Sequence, residues 1–128
     1  MNEQHRPTGI QLHKRSRELE LSYANGERYR LSCEYLRVYS PSAEVLGHGP
    51  GQEVLQSGKL HVAITDIKPV GNYALQMVFD DGHDTGLYSW GYLYTLCTEY
   101  EQRWQQYLER LNAAGAGRDP NEQILKLD

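Results

Sequence analysis

Reactive residue types cluster in one short stretch, residues 79–90, with the sequence FDDGHDTGLYSW. Its histidine, aspartate and serine are the residue types of a serine-hydrolase triad. His83 and Asp84 are neighbours, however, and neighbouring side chains on a strand point to opposite faces. Ser89 also lacks the flanking glycines of a nucleophile elbow. We therefore predict no catalytic residues in this chain and expect that it is not an enzyme.

A histidine that follows a tight turn can instead ligate a metal ion or fasten a loop. Asp81-Gly82 favours such a turn, because glycine reaches positive φ without a Cβ clash, and His83 follows directly. A second histidine, His48, lies in the glycine-flanked sequence GHGPG. Turn geometry alone leaves both roles of His83 open.

Composition limits the class of protein. The chain of 128 residues has the size of one domain, and its net charge of −4 argues against a nucleic-acid partner. The basic run at residues 13–17 is typical of a solvated segment. The two cysteines, Cys33 and Cys97, lie far apart, and no signal peptide or apolar run of membrane length is present. These features predict a cytoplasmic protein with no membrane partner and with buried, unpaired cysteines.

Three regions are predicted along the chain. Residues 1–17 are polar and without periodicity, which favours a disordered lead-in. Residues 18–114 carry the regular apolar patterns of a folded domain. Residues 115–128 are predicted to form a flexible tail, with docking of Ile124, Leu125 and Leu127 as the alternative.

Alternating apolar residues predict antiparallel hairpins. In the first, a three-residue loop over residues 24–26 would pair Leu21 with Tyr29 and Leu19 with Leu31, which keeps all four on one face. In the second, strands near residues 60–68 and 73–79 continue through a loop at residues 80–82. The pairs predicted across that loop are Phe79 with His83, Met77 with Thr85, and Leu75 with Leu87.

From Trp90 onward the apolar spacing becomes helical, and Ser89 is a plausible N-cap. The stripe continues to Leu111, and glycines at positions 115 and 117 would end the helix. The predicted fold class is therefore α+β, with antiparallel β-hairpins in small sheets packed against one C-terminal α-helix.

Aromatic residues crowd the junction between the last strand and this helix. Alternation and helical phase do not bury all of them, so an exposed partner surface is predicted beside the irregular segment 38–58. A core rim with solvated hydroxyl groups is the alternative. The predicted partner-binding residues are Tyr88, Trp90, Tyr92, Tyr94, Arg37 and His48.

Two segments, LSCEYLRVYSPSAEVLGHG and FDDGHDTGLYSWGYL, resemble the gamma-butyrobetaine hydroxylase-like N-terminal domain, a family formerly described as a domain of unknown function. The resemblance covers about residues 15–111. In that family three cysteines after a Leu-Arg pair and a histidine after an Asp-Gly turn bind zinc. The Leu-Arg pair corresponds to residues 36–37 here, which places Ser40, Ser42 and Val45 at the cysteine positions and His83 at the histidine position. The resemblance thus implies a degenerate metal site that has lost its thiolates. His83 is then either a hydrogen-bonded structural residue that joins the hairpin to residues 38–58, or part of a remodelled zinc or iron site together with His48.

In the family's oxygenases this domain precedes a separate catalytic domain whose iron is held through an H-x-D motif. No H-x-D occurs in this chain, so oxygenase activity does not transfer, and we expect a stand-alone bacterial copy. Similar domains are also fused to ATPases that carry iron–sulfur clusters. The resemblance therefore implies a non-catalytic binding or adaptor domain with a protein partner and no cofactor. The alternative is a metal-binding accessory protein of iron or iron–sulfur metabolism that acts through His83.

Overall fold

Two antiparallel three-stranded sheets and four helical segments make up residues 5–121, which are the residues that the computed structural model describes. Their fold class is α+β, as predicted. Both sheets contribute to one buried cluster, which is covered by the helices. The elements are β1 (Gly9–His13), β2 (Glu18–Ser22), β3 (Arg28–Ser32), α1 (Cys33–Val38), α2 (Ala43–Leu46), β4 (Ile64–Val70), β5 (Ala74–Phe79), β6 (Leu87–Ser89), α3 (Trp90–Thr98) and α4 (Tyr100–Ala113).

The first hairpin has the predicted register. Strand β2 pairs with β3 so that Leu21 lies opposite Tyr29 and Leu19 opposite Leu31. A three-residue loop closes it, with Gly26 at a φ of 90°. Leu19 and Leu21 are fully buried. The buried face therefore selected this register, because a shift by one residue would have turned one row of apolar residues to water.

The predicted disorder of residues 1–17 is wrong for residues 9–13, which form the edge strand β1. This strand pairs with β2 along its whole length, and Leu12 packs against the core. Alternation over only five residues is a weak sequence pattern. The strand is stabilised by its hydrogen bonds to β2 of the neighbouring hairpin, which the local sequence does not reveal. Residues 1–4 lie outside the described part of the chain.

The second sheet departs from the predicted register by one residue. The backbone amide of Phe79 donates to the carbonyl of His83 at 2.9 Å, as expected at the mouth of the hairpin. Leu75, however, lies opposite Tyr88 and not opposite Leu87. The chain leaves the ladder between these points, and a shift of one residue turns every side chain to the other face. Tyr88 is therefore fully buried, whereas Leu87 is 46% exposed.

The predicted C-terminal helix is divided into α3 and α4. The hydroxyl of Ser89 caps α3 by accepting from the Tyr92 amide at 3.2 Å, as predicted. The backbone of Glu99, with a φ of −107°, interrupts the helix. The buried hydroxyl of Tyr35 donates to the carbonyl of Leu96 at 2.7 Å. A carbonyl in the last turn of a helix lacks an intrahelical partner, so this tertiary contact stabilises the break.

The predicted flexible tail is wrong where the structure describes it. The amides of Gly58 and Leu60 donate to the carbonyls of Gly117 and Arg118, both at 2.9 Å. The Arg118 guanidinium also contacts both carboxylate oxygens of Glu34, at 2.9 and 2.7 Å. Glu34 is buried, and a buried carboxylate needs such a partner. The docking predicted for Ile124, Leu125 and Leu127 lies outside the described residues.

Candidate functional site

His83 is held at both ring nitrogens. Nδ1 lies 2.9 Å from Oε1 of Glu44, and Nε2 lies 2.8 Å from Oγ of Ser40. The side chain is only 3% exposed. The imidazole therefore joins the β5–β6 hairpin to residues 38–58, the contact expected of a structural histidine.

Local helix capping places the partners of this ring. Ser42 is the N-cap of the short helix α2, and its hydroxyl accepts from the amide of Glu44 at 3.2 Å. The same hydroxyl lies 2.7 Å from Oγ1 of Thr85, across the hairpin. Ser40 accepts from the Ser42 amide at 3.2 Å. The capped turn thus presents a row of oxygen atoms to the segment between β5 and β6 that carries His83.

Burial keeps this imidazole neutral. It lowers the pKa of His83 below its ordinary value, and the nearby Arg37 lowers it further, while Glu44 and Asp81 act in the opposite sense. A neutral ring with its hydrogen on Nδ1 satisfies both contacts, because Nδ1–H donates to Glu44 and Nε2 accepts from Ser40. Such a ring is a fixed structural connection.

A cluster of charges lies directly beside the imidazole. Asp81 is 2.9 Å from Nε of Arg37 and 2.6 Å from Nζ of Lys59, and it accepts from the His83 amide at 3.1 Å. Burial alone would raise the pKa of Asp81, but these three donors outweigh burial and lower the pKa to about 2. Arg37, predicted as partner-binding, is buried in this cluster and is therefore not an exposed contact residue.

The positions that the resemblance assigns to a zinc site do lie near one another. Ser40 contacts His83, Ser42 contacts Thr85 in the same β5–β6 connection, and Val45 is buried in the adjoining helix. Two hydroxyl groups, an alkyl group and one imidazole do not fit a zinc ion, which takes thiolate, imidazole and carboxylate ligands. Within residues 5–121, no group of three or more histidine, cysteine or acidic side chains is placed to hold a metal ion. The ring nitrogens of His83 contact Glu44 and Ser40, and His48 lies exposed on the loop.

The exposed aromatic surface predicted at the β6–α3 junction is wrong. Two of its four residues are buried and two are half-buried. Their polar tips bond inside the protein, where the packed sheet and helices supply acceptors. The contacts are Tyr88 to the Leu36 carbonyl at 2.6 Å, Trp90 to the Asn72 carbonyl at 2.7 Å, Tyr92 to the Tyr39 carbonyl at 2.6 Å and Tyr94 to the Glu27 carboxylate at 2.9 Å.

A groove that the sequence did not reveal lies between residues 38–58 and helix α4. Its volume is about 290 Å³. Two apolar side chains within residues 38–58, Leu46 at the end of α2 and Val54 in the loop, are 46% and 51% exposed. The sequence signal that could have revealed this groove is the presence of apolar residues in a segment otherwise rich in glycine and serine. Lining residues include Tyr39, Val45, Leu46, Val54, Tyr107 and Arg110.

The loop wall of this groove is fixed by backbone contacts. The amide of Val54 donates to the carbonyl of Val45 at 2.8 Å, and the hydroxyl of Tyr107 on α4 donates to the carbonyl of Gln56 at 2.7 Å. Gly47 has a φ of 74°, and a Cβ there would overlap the carbonyl of Gln52. Only glycine fits this close approach, so the wall is shaped before any partner binds.

Residues 10–94 match the family described as gamma-butyrobetaine hydroxylase-like, N-terminal. This match spans more than half of the 128 residues, and the chain belongs to this family. The family match begins within strand β1, which agrees with the finding that this segment is part of the domain.

Solved structures share the fold. One NMR solution structure is 52% identical with a TM-score of 0.82, and the match covers 95% of this chain and 96% of that one. A second NMR structure is 53% identical with a TM-score of 0.76, over 96% and 92% of the two chains. A crystal structure of a protein of unknown function from Acidithiobacillus ferrooxidans, which belongs to the DUF971 family, is 36% identical with a TM-score of 0.57 and covers 73% and 93%. No curated protein matches the chain.

The helices in the described part of the chain are all too short or too polar to cross a bilayer.

Proposed function

We propose that this chain is a non-catalytic protein-binding module, an adaptor, that contacts its partner through the groove between residues 38–58 and α4. The groove itself is the observation that carries the proposal. It combines a volume of about 290 Å³ with the exposed side chains of Leu46 and Val54. Apolar side chains around a preformed concavity are typical of interaction sites.

The state of the reactive side chains supports a role without catalysis. His83 is hydrogen-bonded at both nitrogens, and its pKa is lowered by burial. Burial raises the pKa of the Cys33 thiol, and it raises the pKa of the Cys97 thiol to about 12. A protonated, buried thiol is a poor nucleophile. The His83 imidazole and the two thiols are thus used for packing.

The alternative role, a metal-binding accessory protein of iron or iron–sulfur metabolism, stays a prediction. It would need His83 to release Glu44 or Ser40, and no feature of the described residues favours that exchange. The predicted cytoplasmic location also stays a prediction.

A pull-down with matched variants tests the adaptor role. The full chain is immobilised as wild type, as the double variant Leu46→Asp/Val54→Asp, and as Leu87→Asp. Leu87 is a suitable control because it is as exposed as Leu46, at 46%, but lies on the second sheet, outside the lining of the groove. We expect a protein that is recovered by the wild type and the control and is absent with the double variant.

Equal recovery by all three proteins would contradict the groove as the binding surface. Thermal melts of each variant check that the domain is folded, since exposed substitutions change stability by only about 0.5 kcal/mol.

A further inference from the structure

Charged side chains line the groove asymmetrically. Arg103 and Arg110 lie on the helix side, and Glu53 lies on the loop side. Arg103 is already engaged, because its Nε is 3.0 Å from Glu99 and its guanidinium lies over the ring of Tyr39 at 5.4 Å. Arg110 has no ion pair with any residue in the range 5–121 and is exposed. It is the cation of the groove that remains available to a partner.

We propose that the groove takes a linear acidic–apolar peptide segment of the partner protein. Its apolar side chains would enter beside Leu46 and Val54, and an aspartate or glutamate would pair with Arg110. This inference rests on the proposed function and names the chemistry of the partner.

The size of the groove favours a linear segment. Its volume of about 290 Å³ lies just below the roughly 300–1,000 Å³ of pockets that enclose whole ligands. It therefore accommodates a few side chains of a peptide. Gly47 and the Val45–Val54 hydrogen bond already fix the loop wall, so the wall needs little ordering when a peptide binds. The main entropic cost of binding would be the ordering of the peptide itself.

The charges favour one orientation of that segment. A guanidinium presents a planar fork of donors that matches a carboxylate. Glu53 on the opposite wall would repel a carboxylate placed there, so the acidic residue of the peptide belongs on the α4 side. A basic peptide would meet Arg103 and Arg110 and is disfavoured.

Selection from displayed random decapeptides tests the inference on the full chain. Three baits are used: the wild type, Leu46→Asp/Val54→Asp, and Arg110→Glu. We expect the wild type to enrich peptides that combine apolar residues with aspartate or glutamate. The double variant should enrich none of them, and Arg110→Glu should replace the acidic preference with a basic one.

Affinity measurements then separate a specific pair from a general effect of charge. With the most enriched peptide as a fluorescent probe, Arg110→Glu should weaken binding roughly 3- to 30-fold, because an exposed ion pair is exchanged for repulsion. Arg28→Glu is the matched control. It makes the same change in net charge at an exposed position of β3, outside the groove, and should change binding less than about twofold.

Each outcome decides one of the two claims. If the wild type enriches peptides without acidic residues, or if Arg110→Glu enriches the same acidic peptides as the wild type, the inference is overturned. The groove would then still be a binding surface. Enrichment that the double variant retains would overturn the proposed function. Light scattering that shows a dimer in the wild type and a monomer in the double variant would mean that a second copy fills the groove, which would also overturn the inference.

Discussion

Replacing Gly86 by alanine tests the packing that surrounds His83. Gly86 lies where the chain leaves the ladder before β6. A Cβ added there would overlap Oγ of Ser40 and would come within 3.3 Å of the Tyr88 ring and 3.4 Å of Pro41. Ser40 and Tyr88 are both fully buried, so neither can move into solvent.

The expected cost follows from two ways of relieving this overlap. If the Ser40 hydroxyl rotates away, it leaves Nε2 of His83 and the Ser42 amide without a partner, which costs about 1–3 kcal/mol. If the backbone shifts instead, overpacking costs about 1–3 kcal/mol. The reduced entropy of the unfolded chain returns about 0.4–1 kcal/mol. We therefore expect Gly86→Ala to lower the free energy of unfolding by about 1–2 kcal/mol.

A double-mutant cycle makes the reasoning specific. Ser40→Ala alone should lower the free energy of unfolding by about 1–3 kcal/mol, since it removes the hydroxyl that His83 contacts. In that background the overlapping oxygen is gone, so Gly86→Ala should add less than about 1 kcal/mol. The free energies are measured by urea denaturation, and the interaction energy between the two sites should be about 1–2 kcal/mol.

Gly49→Ala is the control, because no atom lies within 4 Å of its added Cβ. It should change the free energy of unfolding by less than about 0.5 kcal/mol. Fully additive costs at Gly86 and Ser40, or a Gly86→Ala variant as stable as the wild type, would refute the proposed contact between this glycine and the Ser40–His83 bond.

Two further predictions concern titration and the C-terminal segment. The pKa of His83 in the folded protein is below its ordinary value of 6.5, so the native state binds fewer protons than the unfolded state. The contribution of His83 to stability should therefore be lost as the pH falls below 6.5 and through the folded pKa. Asp81, with a folded pKa of about 2 against an ordinary 3.8, should lose its contribution only as the pH falls from 3.8 through 2. Urea denaturation from pH 7.5 to 5 should therefore show a smaller pH dependence in His83→Gln than in the wild type, and an equal dependence would contradict this assignment. Glu34→Gln weakens the contacts of a buried carboxylate with the partly exposed Arg118 and should cost about 1–2 kcal/mol. Hydrogen exchange at the amide of Leu60, which bonds to the Arg118 carbonyl, should become faster, and unchanged exchange would argue that the ion pair does not hold this segment.

The sequence determined the features that depend on near neighbours. The loop at residues 24–26 and the pairing of Leu19 with Leu31 follow from one turn and one row of apolar residues. The Ser89 cap follows from a hydroxyl placed before a helical pattern. The likeness of residues around Leu36 and His83 to a known family also predicted which segments face each other, and Ser40 does contact His83.

Patterns over a few residues did not determine the second sheet or the exposure of the aromatic residues. Just before β6, Gly86 packs against Ser40, which is distant in sequence, and the slip of one residue turned Tyr88 inward. Once it was inside, its hydroxyl needed an acceptor, and the Leu36 carbonyl on α1 supplied it. No local pattern contains that partner.

The sequence by itself thus determined the α+β class, the first hairpin and the replacement of the thiolates around His83, because each depends on residue type and short-range periodicity. Only the tertiary structure decided that the aromatic junction is buried, that residues 117–118 pack on the domain, and that a groove opens beside α4. These features arise where segments far apart in the chain exclude water from one another, and the shape of that contact is a property of the packed fold.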